Sequence, residues 1–368
     1  MEALLIIDGS SMLVTHYYGT LPKSVTFEKD PIKRIENYKD IMQTSTGIYT
    51  NGVFSMLRTI KNIIDYQKPS HIAVVFDMSR NTFRRDMFEE YKGTRSETPD
   101  PLKEQFIIIE NILERMGITT LYSEKYEADD YAGTLVRKFE KKIPTIVMTK
   151  DHDYLQLVSE NTKAWMVQST EQKFEEMKEK YPNPAYDTQP YLPQKVIVFD
   201  ASVVLAEEGV LPSMIPDLKG IAGDSADNIP GVKGVAKAAA PLLMEYGSIE
   251  KLYERIEIEG KFIEDYWKDC LDVKKGNYKK LTAEGAKESA LLSKKLATIV
   301  DVPDFEIELD DMSIKKIDED EFINICKEYE FDSLLNHWFL ICDFKTFIKN
   351  IALKESRLFF KRFYFFKI

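Results

Sequence analysis

The sequence predicts a mainly parallel, doubly wound α/β sheet followed by a helical unit. Three observations predict it. Apolar runs of strand length alternate with helical stretches over the first 150 residues. An acidic residue follows the apolar runs. Glycine and proline punctuation then marks a helix–loop–hairpin–helix beyond residue 200.

The first strand reads from Ala3 to Ile7 and ends in Asp8-Gly9-Ser10-Ser11. A polar excursion, partly helical, is expected at 22–45. Residues 51–66 carry helical periodicity in Val53, Phe54, Leu57, Ile60 and Ile64. The second strand, Ile72 to Phe76, ends in Asp77. A helix is expected over 101–116, closed by Gly117, then a third strand from Ile118 to Tyr122 and a helix over 127–141. Pro144 opens a fourth strand, Thr145 to Met148, which runs into Thr149-Lys150-Asp151-His152-Asp153. The stretch 168–195 turns polar and reads as an insertion. The chain therefore divides into an α/β unit at 1–200, a helical unit at 201–335 and a basic, aromatic tail at 336–368.

Composition narrows the function classes. Hydrophobic residues make up 44% and charged residues 30% of the 368, as in an ordinary globular protein. No apolar run reaches the length of a membrane span, and the N-terminus lacks the pattern of a signal peptide. Cys270, Cys326 and Cys342 are widely spaced and read as free thiols in a reducing cytoplasm. A net charge of −11 does not by itself favour a nucleic-acid partner, since phosphate binding rewards Lys and Arg. Carboxylates gathered around bound cations would reverse that sign locally.

In doubly wound sheets, ligands sit at the carboxyl ends of the strands. Asp8, Asp77 and the Asp151/Asp153 pair follow strands, and Glu127-Ala128-Asp129-Asp130 opens a helix after the third. Separate pieces of chain thus aim carboxylates at one edge. With Asp224 and Asp227 from the glycine-rich segment, they could supply two Mg2+ sites, because Mg2+ takes oxygen ligands and retains several waters. Two such ions can activate water and stabilise a leaving oxygen in phosphodiester hydrolysis. Each piece also has a plainer reading. Acidic residues suit a helix N-terminus, Asp151-His152-Asp153 could be an Asx turn, and His152 reads as a surface residue.

The motifs Ile7-Asp8-Gly9, Phe76-Asp77, Phe83-Arg84-Arg85 with Glu90-Tyr91-Lys92-Gly93-Thr94-Arg95, Tyr126-Glu127-Ala128-Asp129-Asp130, the run from Thr149 to Val158, and Gly223-Asp224-Ser225-Ala226-Asp227-Asn228-Ile229-Pro230-Gly231-Val232 occur in that order. Together they resemble the 5′→3′ exonuclease/flap endonuclease family. The likeness spans residues 1 to roughly 335. It implies a PIN-like (resolvase-like) core with a helical arch at about 78–115, a helix-3-turn-helix unit, and a structure-specific 5′ nuclease in replication or repair. It implies that Asp8, Asp77, Glu127 and Asp129 hold one metal, and that Asp130, Asp151, Asp153, Asp224 and Asp227 surround a second. The ions would be Mg2+, with Mn2+ able to substitute.

The resemblance further casts Lys92 and Arg95 as the catalytic cations at the base of the arch. It offers Arg84 and Arg85 for phosphate and Tyr91 for stacking on an unpaired base. Gly231, Lys233, Gly234 and Lys237 would grip duplex phosphates, with a K+ site in the same hairpin. The plainer reading of the arch residues is a solvated face, since six Arg/Lys between 78 and 105 are balanced by six Asp/Glu. Ala236 stands where family members often carry Gly, so a Cβ enters that hairpin. The expected partner is DNA with a 5′ flap or 5′ end, or an RNA–DNA hybrid, bound by a stand-alone monomer with no membrane role. A catalytically silent flap-binding scaffold and a PIN-type ribonuclease are the alternatives. For the tail, an appendage or a helix packed on the core is preferred over a nucleic-acid, partner or membrane contact.

Overall fold

The computed structural model describes residues 1–79, 81–187, 192, 193, 195–315 and 317–335, without the side chain at 237. The expected tail and the side chain of Lys237 therefore lie outside the described residues. The strands are β1 (Leu4–Asp8), β2 (His71–Val75), β3 (Thr119–Leu121), β4 (Thr145–Thr149), β5 (Thr162–Val167) and β6 (Val196–Phe199). They form one sheet in the order β3-β2-β1-β4-β5-β6. All neighbours run parallel except β5 and β6, which are antiparallel.

The apolar run of β1 is continuous because both faces of the sheet are covered. Leu5 and Ile7 pack into one cluster with Leu13, Leu57, Ile109 and Phe322. Leu4 and Ile6 point the other way, into a cluster with Leu135, Phe139, Ile299 and Met312. Helices Gly9–Gly19, Asn51–Asn62 and Asp100–Arg115 thus cover one face, and helix Ala128–Phe139 covers the other. The sheet order reverses at β1, between β2 and β4. Such a switch point opens a crevice at the carboxyl ends of the strands. The register sets Asp8 beside Val75 and Ile7 beside Met148, so the residues that follow β1, β2 and β4 emerge at one level.

The excursion at 22–45 is partly helical, as expected, with short helices Lys23–Thr26 and Pro31–Glu36. Other elements differ from expectation. The polar stretch at 168–195 carries helix Glu171–Lys180. Strands β5 and β6 were not expected, being short apolar runs on either side of polar sequence. The unit expected at 201–335 divides. Helices from Ala201–Glu208 to Ala286–Ala297 build an apolar cluster around Leu242, Leu252 and Trp267, which continues onto β5 and β6 through Met166 and Ile197. Residues beyond 298 return to the sheet instead: Ile314 N–H donates to Ser70 O, and Phe322 and Ile325 enter the first cluster. Among the described residues no helix is long and apolar enough to cross a membrane.

Helix Ile215–Ala222 lies against helix Ala286–Ala297 at Gly220. A Cβ there would stand 2.4 Å from Ile249 Cδ1 and 3.0 Å from Ala290 O. Gly-to-Ala in an open helix position stabilises by roughly 1 kcal/mol. Here the sign should reverse: Gly220→Ala is expected to destabilise by about 1–3 kcal/mol through overpacking. Urea unfolding checks this, and a stabilised variant would contradict the close approach.

Candidate metal centre and nucleic-acid interface

Asp8 ends β1 and caps helix Gly9–Gly19. Its Oδ1 accepts from Ser11 N–H at 2.9 Å and its Oδ2 from the Thr149 hydroxyl at 2.7 Å. It is buried, and its pKa is pushed up to about 7, first by burial and then by the neighbouring charge of Asp77. Asp77 is held from both ends. Its N–H donates to Ser10 Oγ at 2.8 Å, and its Oδ1 accepts from Ala128 N–H at 2.9 Å. Asp151 caps the turn after β4 by accepting from Asp153 N–H. Hydrogen bonds to neighbouring elements thus fix Asp8 and Asp77, and a bond within its own turn fixes Asp151.

The Glu127–Asp130 segment behaves differently. Glu127 accepts from Thr82 Oγ1 at 2.8 Å and pairs with Lys92 Nζ. Burial would raise its pKa, but Lys92 and Arg84 hold it below the ordinary value. Asp129 is partly buried, and its Oδ1 is buried without a hydrogen bond; desolvation drives its pKa well above the usual carboxylate range, although Arg84 opposes this. Asp130 is fully buried and takes two bonds from Arg84, at 2.7 and 2.8 Å. It also accepts from Glu127 N–H and Val300 N–H.

The chain supplies its own counter-ions. Arg95 Nη2 donates to Asp227 Oδ1 at 2.5 Å, and Lys92 Nζ stands 3.8 Å from Asp227 Oδ2. Lys92 N–H bonds to Asp227 O and Asn228 Nδ2 to Glu90 O, which stitches the 88–95 segment onto the 224–229 turn. Lys219 joins Asp153 to Asp224, lying 2.6 Å from Asp224 Oδ2. Despite burial, Lys219 holds Asp224 below its ordinary pKa. Among the described residues, no three His, Cys, Asp or Glu side chains are gathered closely enough to hold an ion as they stand. The donor set nevertheless fits a hard divalent ion: carboxylate oxygens only, with Asp129 Oδ1 buried and without a hydrogen bond.

Several expectations are corrected here. Arg84 is 1% exposed and bonds Leu296 O and Thr298 O as well as Asp130, so it is an internal clamp and not a phosphate contact. Asp130, neutralised by that clamp, is not free for the second metal. Tyr91 is buried with its hydroxyl 3.3 Å from Glu127 Oε2 and 3.4 Å from Asp227 Oδ2, so it presents no face to a base. Lys92 and Arg95 are both engaged with carboxylates, Lys92 half-buried and Arg95 exposed. Of the paired arginines only Arg85 points outward, with local contacts to Asn81 and Glu89. Helix Asp100–Arg115, expected within the arch, packs in the core. His152 is half-exposed against Glu208, as its surface reading expected. Lys219 was missed; in Leu218-Lys219-Gly220 it reads as an ordinary surface lysine.

The hairpin brings Gly231 close to Gly223, where a Cβ on Gly231 would stand 2.3 Å from Gly223 N. Gly231 has φ +60° and its N–H donates to Ser293 Oγ, so this amide braces the hairpin and does not face a phosphate. Gly234 is exposed at φ +81°, and its carbonyl accepts from Lys280 Nζ at 2.7 Å. Lys233 is exposed. Ala236 has φ +27°, a conformation that disfavours a Cβ.

A resolvase-like sheet with carboxylates at its switch point, joined to a helical hairpin unit, defines a class of nucleic-acid enzymes. Residues 3–182 match the family described as 5'-3' exonuclease, N-terminal resolvase-like domain, and residues 210–320 match 5'-3' exonuclease, C-terminal SAM fold. This chain belongs to the 5'-3' exonuclease family. It is 31% identical over 337 residues to the 5'-3' exonuclease of Aquifex aeolicus, covering 91% of this chain and 94% of that protein. It is 33% identical over 342 residues to DNA polymerase I of Bacillus subtilis, covering 91% of this chain but 32% of that protein. The chain thus spans about a third of the length of the DNA polymerase I relatives it matches. In fold it is similar to the catalytic core of Rad2 in complex with DNA substrate, with TM-score 0.52, 14% identity, and 89% and 88% of the two chains covered. Human GEN1 in complex with Holliday junction DNA gives 0.51 and 13%, over 89% and 67%.

The Asp8 pKa near 7 has a measurable consequence. An ion must displace the proton, so binding at this site releases protons and tightens as pH rises through 7. Isothermal titration with Mn2+ should show about tenfold tighter binding at pH 8 than at pH 6. A flat affinity over that range would contradict the protonated state of Asp8.

Proposed function

We propose that this protein is a structure-specific 5′ nuclease that hydrolyses phosphodiesters near 5′ ends and flaps of DNA or RNA–DNA hybrids. The observation that supports the reading is that Asp8, Asp77, Glu127, Asp129 and Asp151 all lie along the carboxyl edge of the sheet at its switch point, beside a segment that carries Lys92 and Arg95. Asp153, Asp224 and Asp227 flank the same edge from the turn after β4 and from the hairpin unit. Glu127, Asp153, Asp224 and Asp227 begin paired to the chain's own Lys92, Lys219 and Arg95. Divalent ions, Mg2+ with Mn2+ as a substitute, would supply an activated water and charge stabilisation at the leaving oxygen.

The residues around the ions have separate tasks. Ser11, Thr149 and Ala128 hold Asp8 and Asp77 by hydrogen bonds, which leaves little carboxylate rotation to freeze on loading. Asp8, Asp77, Glu127 and Asp129 are assigned to one ion, and Asp151, Asp153, Asp224 and Asp227 to the other. Lys92 and Arg95, released from Glu127 and Asp227, would turn to the phosphate and stabilise charge developing on it. Gly234 and Lys233 on the hairpin, with Lys237 from the sequence, would track the duplex phosphates. DNA in the Rad2 and GEN1 structures supports a nucleic-acid partner on this fold. A second reading, a flap-binding scaffold without catalysis, draws on the occupation of the carboxylates by Lys92, Arg95 and Lys219.

A 5′-flap duplex with Mg2+ separates the two. The nuclease reading expects metal-dependent cleavage near the flap junction. It expects the Asp129→Ala/Asp151→Ala double variant to lose at least about a thousandfold in rate, or ~4 kcal/mol of transition-state stabilisation. Unchanged cleavage by that variant would overturn the site, and flap binding without cleavage by the wild-type chain would favour the scaffold.

A further inference from the structure

Tyr154 lies in the 3-10 turn His152–Leu157, directly after Asp153. It is 2% exposed, and its hydroxyl has no hydrogen-bond partner. Buried tyrosine hydroxyls normally find one, because an unpaired polar group in the interior is costly. The ring packs with Ile6, Val75, Ala128 and Tyr131, where β1 and β2 meet the first turn of helix Ala128–Phe139. Phenylalanine would satisfy that packing, so apolar contact alone does not explain the hydroxyl.

The surroundings of the phenol point to its use. The turn that carries Tyr154 is capped by Asp151 and packs against helix Ala128–Phe139, whose first turn carries Asp129. The phenol therefore lies among the elements that bring carboxylates to the switch point. The same edge contains an acceptor without a hydrogen bond, Asp129 Oδ1. A buried donor and a buried acceptor, the latter 3.9 Å from Arg84 Nη1, thus both lack hydrogen bonds at this edge.

We propose that Tyr154 is a positioning residue of the metal centre, whose hydroxyl donates to the ligand carboxylates, Asp129 first, when a divalent ion draws them together. The proposal rests on the reading of that site as a divalent-metal centre. A hydrogen bond to a ligand fixes its orientation, and losing such an outer partner typically weakens metal binding 10–100-fold. Nothing in the reaction requires Tyr154 to touch the substrate.

The test is Mn2+ binding to the full chain at pH 8, followed by the EPR signal of free Mn2+, for wild type and Tyr154→Phe. Melting temperatures in EDTA and in saturating Mn2+ accompany it. Tyr154→Phe should melt in EDTA at or slightly above wild type. It should bind the tighter Mn2+ ion about tenfold more weakly and show a smaller Mn2+-induced rise in melting temperature. Equal Mn2+ affinities in a wild type that binds the ion overturn the proposal alone. A wild type that binds no Mn2+ overturns the metal centre with it. Tyr154→Leu removes the ring as well. It should lower the EDTA melting temperature yet weaken Mn2+ no further than Tyr154→Phe does, and a much weaker Leu variant would assign the effect to packing and overturn the hydrogen bond.

Discussion

Carboxylates crowded at the ends of a buried parallel sheet repel one another, and the rest of this structure is arranged around that repulsion. Burial and mutual charge push the proton affinities of Asp8 and Asp129 up. Arg84 meets the deepest of the charges, Asp130, with a bidentate pair that has almost no solvent exposure. Removing one member of such a buried pair typically costs about 3–5 kcal/mol, far more than an exposed ion pair contributes. Because Arg84 also holds Leu296 O and Thr298 O, one guanidinium ties the segment after β2, helix Ala128–Phe139 and the end of helix Ala286–Ala297 into a single frame. The site depends on that frame for its geometry.

The more accessible cations do something else. Lys92, Arg95 and Lys219 sit at the rim, against Glu127, Asp227, Asp153 and Asp224. They keep the acidic edge together without metal, and their long side chains can leave as a unit of charge is replaced by an ion. The acidic net charge of the chain is therefore a poor guide to its partners. At this edge, charge is set by what the carboxylates bind.

Much of this was readable in the residues. Strand-end placement puts Asp8, Asp77 and Asp151 at one edge, because an apolar run followed by an acid is a local pattern. The approach of Lys92 and Arg95 to that edge is a tertiary matter, and only family likeness pointed to these two residues. Arg84 was misjudged because its partner lies 46 residues away and a neighbouring Arg85 carries the same motif position outward. Tyr91 was misjudged for a similar reason, since only tertiary contact with Glu127 and Asp227 buries it. Lys219 and the hydroxyl of Tyr154 give no sequence signal beyond a helix face and an aromatic after Asp153. Strands β5 and β6 escaped notice because short apolar runs beside polar sequence carry little periodicity.

The central claim is that this chain's own cations hold places that divalent ions take. A crystal structure of the protein soaked with Mn2+ tests it most directly. The account predicts Mn2+ between Asp129 and the Asp8/Asp77 strand ends, with a second ion toward Asp153, Lys92 Nζ withdrawn from Glu127, and Lys219 withdrawn from Asp153. Arg84 should stay on Asp130. Saturating Mn2+ with Lys92 and Lys219 still seated on their carboxylates and no ion at the strand ends would contradict it.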